Sequence, residues 1–139
     1  MPATPKPGSR EWWETKLDEI AKVGCYPPAL MEVPDLFDAP SLSNVGAARA
    51  QAIQATALVE TAVRKLGDPE TNPRVRAAIR WLGLDPATRG LPLKDRRRAA
   101  AATIQIDGAD GVRSIAVATW RRNYEPDLRR DLGWLLAHG

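Results

Sequence analysis

Over most of the chain the apolar positions recur with the period of a helix. Between residues 9 and 24, Trp13, Leu17 and Ile20 fall at helical spacing, Ser9 stands at the cap position and Gly24 at the stop. Trp12 beside Trp13 points about 100° away on a helix, so one of the two rings has to cover a second segment. From Asn44 to Leu66 a proline-free, alanine-rich stretch carries a stripe of Val45, Ala48, Ala52, Ala55, Val59, Ala62 and Leu66. Ile53, Leu58 and Val63 widen that stripe, and Gly67 closes the element. Asn72-Pro73 joins a capping residue to the residue best suited to a first helical position. Val75, Ala78, Ile79 and Leu82 follow at i, i+3, i+4 and i+7, Gly83 ends the run, and Arg76 and Arg80 lie on the opposite side. Pro92 opens the next helix, LKDRRRAAAATI, with Leu93, Ala100 and Ile104 turned inward.

Three stretches interrupt this pattern. Residues 1–8 hold three prolines and no apolar period, and read as a flexible arm. Between Cys25 and Ser43, Pro27, Pro28, Pro34 and Pro40 forbid a continuous helix, apart from a turn near Pro28 to Glu32. The DGADG motif marks a turn or loop within residues 105–113, after which Ser114 is expected to cap a helix IAVATWRRNYE. TIQI and SIAV also alternate enough for a hairpin around DGADG, which is the competing reading of 103–118. Past Pro126, Leu128, Leu132, Leu135 and Leu136 describe a terminal helix, anchored by Tyr124 and Trp134. The expected fold is all-α: a small multi-helix bundle over 9–139 with a proline-rich connection near its N-terminus.

Composition narrows the chemistry. At 139 residues, with 44% hydrophobic and 27% charged side chains, the chain suits one globular domain and not a disordered segment. Cys25 is the only cysteine and His138 the only histidine, so one chain can form neither an internal disulfide nor a Cys/His zinc site. A Ser-His or Cys-His nucleophile would depend on a histidine one residue from the C-terminus. Asp127 and Asp131 lie one turn apart, yet Arg129 and Arg130 between them make the pair surface charge. With no P-loop and no glycine-rich dinucleotide motif, the expectation is a non-enzyme without cofactor or metal. No stretch approaches the ~20 apolar residues of a membrane span. Residues 1–10 lack the apolar core of a secretory signal, so the expected compartment is the cytoplasm, with Cys25 reduced.

The net charge of +3 hides a gradient. Residues 1–73 carry 7 basic and 10 acidic side chains, whereas residues 74–139 carry 13 and 7. An anionic partner for the second half follows from that asymmetry. In the same region Arg96, Arg97 and Arg98 precede Ala99 to Ala102, a glycine-containing connection follows, and then come Ser114, Thr119, Trp120, Arg121, Arg122 and Glu125. This arrangement over 91–139 resembles the helix-turn-helix-like C-terminal regions of many actinobacterial proteins. The resemblance implies double-stranded DNA as a ligand, with Arg96, Arg97, Arg98, Ser114, Thr119, Arg121 and Arg122 as contacts to phosphates or base edges. The connection IQIDGADGVR is longer than the usual turn of about 3–4 residues, and Asp107 and Asp110 bring negative charge beside it. Arginines pairing with Asp95, Glu125, Asp127 or Asp131, and Trp120 and Tyr124 packing as core residues, are the structural counterpart of that reading.

The first functional expectation is nonetheless a helical protein that binds a partner protein or larger assembly. Trp12, Leu30, Met31, Leu36 and Phe37 are the candidate contacts, since aromatic and aliphatic anchors supply such interfaces. The long helix from Asn44 offers a surface for a homodimer. DNA binding through the basic C-terminal region is the alternative.

Overall fold

Ser9 accepts a hydrogen bond from the Trp12 amide at 3.3 Å and so starts helix α1 (Arg10–Val23). The computed structural model describes residues 5–33 and 45–138. Gly24, at φ +103°, ends α1 by donating its amide to Ile20 O at 2.8 Å. A single turn, α2 (Pro27–Leu30), follows where the prolines permit one. The long helix is α3 (Val45–Leu66). Helix α4 (Pro73–Leu82) begins as Asn72 caps the Arg74 amide at 3.0 Å, and ends at Gly83 in the left-handed region. After a bend comes α5 (Leu93–Thr103).

Residues 105–114 settle the competition between helix and hairpin in favour of the hairpin. Strands β1 (Gln105–Gly108) and β2 (Gly111–Ser114) pair antiparallel, with Gly108 opposite Gly111 across a two-residue loop. Gly111 adopts φ +104°, a conformation that costs glycine little and other residues much. At the base, the Ile115 amide donates to Ile104 O at 3.1 Å, and both isoleucines are buried. These two β-branched residues root the hairpin in the core while all eight strand residues stand exposed. The helix expected from Ser114 therefore begins later, at α6 (Val117–Thr119), and Ser114 belongs to a strand.

Helical backbone then runs from Val117 to His138 through a π-helical turn, Trp120–Tyr124, into α7 (Glu125–His138). Pro126 does not break it. A proline lacks the amide for an i→i−4 bond and its ring crowds that carbonyl. The widened turn, in which the Glu125 amide reaches Trp120 O, takes up the mismatch.

α1 packs against α7 and α4 against α5, while α3 contacts α2, α7 and α4. One apolar cluster unites Leu17 and Ile20 of α1, Val59 and Val63 of α3, Trp81 and Leu82 of α4, Trp120, and Leu128 and Leu132 of α7. The fold is thus mostly helical, with one small two-stranded sheet. Ile53 and Leu58, expected inside, are 49% and 38% exposed, and Trp134, expected as an anchor, is 53% exposed. Among the described residues no helix is long and apolar enough to cross a membrane.

Candidate functional site

The arginine cluster of α5 divides by helix face. Arg96 points into the protein and is 1% exposed. Its Nε donates to Leu91 O at 3.0 Å, Nη1 to Trp81 O at 2.6 Å and Nη2 to Lys22 O at 3.2 Å. Lys22 and Trp81 sit in the last turns of α1 and α4, where carbonyls have no intrahelical donor and a cation complements the helix dipole. Burial holds the Arg96 pKa below the ordinary arginine value, against the opposing pull of Tyr26. Arg96, expected as a nucleic-acid contact, is instead an internal clamp with no surface to offer a ligand.

Arg97 is also engaged within the chain. It forks onto Glu125, with Nε at 2.7 Å from one carboxylate oxygen and Nη2 at 3.2 Å from the other. The Glu125 carboxylate is itself buried and accepts the indole N–H of Trp120 at 2.9 Å. Arg98 is exposed, with Asp95 at 3.9 Å. Ser114 donates its hydroxyl to Ala102 O at 3.1 Å, and Thr119 is half-buried in α6.

Arg121 and Arg122 are different. Both are exposed, and among the described residues neither has a carboxylate within ion-pairing distance. They border a depression of about 520 Å³ together with Arg97, Arg129, Asp18 and Glu125. The two carboxylates there are already committed: Glu125 to Arg97, and Asp18 to Lys22 at 3.5 Å and Arg129 at 3.6 Å. The free charge at the rim is therefore that of Arg121 and Arg122.

The residues expected to meet a partner protein are placed less favourably. Trp12 is 6% exposed and meets Trp13 edge to face at 4.9 Å, so both rings are packed. Leu30 is 1% exposed and Met31 is half-buried against the core. Leu36 and Phe37 lie outside the described residues. A different, uncharged surface is present on α3, where Ala50, Ile53, Gln54, Ala57, Leu58 and Thr61 are exposed. No charged residue occurs between Arg49 and Glu60.

A second cleft, of about 510 Å³, lies between α4 and the α5–β1 junction. Arg76, Arg80, Thr103, Ile104, Gln105 and Tyr124 are among its walls, and among the described residues no acidic one is. The i, i+4 pair on the polar side of α4 was its only trace in the sequence. The approach of Thr103 and Gln105 is a tertiary event.

Cys25 is fully buried, with a thiol pushed up to about 12 by burial, Glu60 adding and Arg96 opposing. Among the described residues no group of His, Cys, Asp and Glu side chains is arranged to hold a metal ion. No family model matches this chain, and neither the curated proteins nor the solved structures gave a match to it.

Proposed function

We propose that the protein is a small, non-enzymatic helical module that binds double-stranded DNA through the basic rim formed by Arg121 and Arg122. The supporting observation is charge accounting. Arg74, Arg97, Arg98, Arg129 and Arg130 each have a carboxylate partner and Arg96 is buried; among the described residues Arg121 and Arg122, like Arg89, Lys94 and Arg113, are exposed without one, and Arg121 and Arg122 adjoin on one depression. Exposed arginines without partners attract phosphates and release counterions on binding, so affinity falls with salt. In a mobility-shift titration with a short duplex, retardation at low salt should weaken steeply as salt rises. Arg121→Ala with Arg122→Ala should lower the slope of log affinity against log salt by about 2. Absence of retardation by the wild-type chain at low salt removes this reading.

A second reading, binding of a protein partner, has its own observation in the middle of the outer side of α3, uncharged between Arg49 and Glu60. Exposed helix faces ordinarily carry charge, and this one presents Ile53 and Leu58 on either side of Ala57. The occupant proposed is a second copy of the chain, whose identical uncharged patch can face this one without repulsion. Sedimentation of Ile53→Lys beside wild type decides it: a wild-type dimer that the lysine dissociates supports the reading, and a wild-type monomer overturns it.

A further inference from the structure

We propose that the cleft between α4 and the α5–β1 junction is a phosphate-binding site, separate from the Arg121–Arg122 rim. Among the described residues the two recesses share no lining residue. Arg76 and Arg80, one turn apart on α4, supply the charge. Arg76 Nη1 donates to Pro69 O at 2.8 Å and Glu70 O at 3.1 Å. Arg80 Nη1 donates to Thr103 Oγ1 at 2.6 Å, and that hydroxyl in turn donates a hydrogen bond to Ala99 O at 3.0 Å. Every one of these acceptors is neutral. Both guanidinium groups are thus held in place while, among the described residues, neither meets a carboxylate.

Such an arrangement is suited to an oxyanion. A guanidinium has five N–H donors, and among the described residues Nε and Nη2 of each arginine have no protein acceptor. Charge-assisted pairs of this kind match phosphate oxygens, and their prior anchoring reduces the entropy lost on binding. Arg74, at the edge of the cleft, is neutralised by Asp131 at 2.5 Å and adds little. Gln105 and Tyr124 add polar groups, and Ile104 an apolar wall, so the space accommodates more than an isolated phosphate.

The test is calorimetric titration of the full chain with inorganic phosphate and, separately, with adenosine 5′-monophosphate. Saturable binding of at least one probe is expected, with affinity reduced about tenfold or more in Arg76→Gln/Arg80→Gln, for the loss of two charge-assisted contacts. Gln105→Glu should have the same effect without touching α4, because it places a carboxylate in the cleft at an exposed position. Tighter binding of the nucleotide assigns a phosphomonoester as the ligand, and equal affinities assign free phosphate; both support the site. Arg121→Ala/Arg122→Ala should leave either affinity unchanged, so this proposal and the DNA reading fail separately. No saturable binding of either probe, or binding that survives both cleft variants, overturns it.

Discussion

Arg96 shows how one side chain can serve two helices. It closes the C-terminal carbonyls of α1 and α4 and ties both to the bend at Leu91. Gly83 makes room for it: a Cβ there would meet Arg96 Cδ at 3.2 Å, and φ +73° already disfavours a side chain. Arg96→Met keeps the length but takes the donor from three carbonyls, that of Trp81 buried and those of Leu91 and Lys22 partly so, and should cost about 3 kcal/mol or more in a urea unfolding titration. Arg98→Met, at an exposed position two residues away, should stay within about 0.5 kcal/mol. Equal effects would show that the clamp contributes no more than a surface charge. Cys25 supplies a pH signature. The unfolded thiol titrates near its ordinary value of 9.0 and the folded one near 12. Between those values the folded state holds one proton more. The thiol's stabilising effect is thus fully present below pH 9.0 and is lost as pH rises towards 12, by about 1.4 kcal/mol per pH unit. Stability profiles of wild type and Cys25→Ala should diverge only above that lower value, and parallel profiles would refute the assignment.

At the level of elements, the contact between α1 and α7 turns on Gly133. A Cβ there would lie 3.0 Å from Glu14 Cγ and 3.1 Å from Arg10 O. The first atom can shift, but the second is backbone. Alanine gains about 1 kcal/mol in helix propensity, yet overpacking costs about 1–3 kcal/mol. Gly133→Ala should therefore lower the thermal midpoint; a higher midpoint would show that the two helices have slack. The ends of these elements were legible in the sequence because their causes are local. Ser9, Asn72-Pro73, Gly24 and Gly83 act on backbone groups within a few residues. The hairpin was not decided there, because TIQI and SIAV satisfy both periods over so short a run. The pairing of Ile104 with Ile115, and burial of both, overturned the helix expected from Ser114. Ile53 and Leu58 failed the expectation for a similar reason: a stripe can be apolar without every position in it finding a neighbour.

For the whole molecule, the question is where the positive charge is left over. The pairing of Arg97 with Glu125 belongs to the core, and Arg74 with Asp131 joins α4 to α7. What remains exposed and uncompensated includes Arg121 and Arg122 on one recess, while Arg76 and Arg80 carry uncompensated charge in the other. Because among the described residues neither Arg121 nor Arg122 has a carboxylate partner to lose, their double alanine variant should melt within about 2 °C of wild type. A large drop in a thermal scan would mean that these arginines support the fold, and the binding test would need another substitution. The sequence by itself determined the helical character, most helix boundaries and the excess of positive charge in the second half, since these follow from local backbone chemistry and counting. Only the tertiary structure decided which arginines are spent inside, which pair off and which remain for a ligand. Three successive arginines on α5 look alike in sequence, but the helix turns by about 100° per residue. One therefore enters the core, one meets Glu125 and one faces solvent.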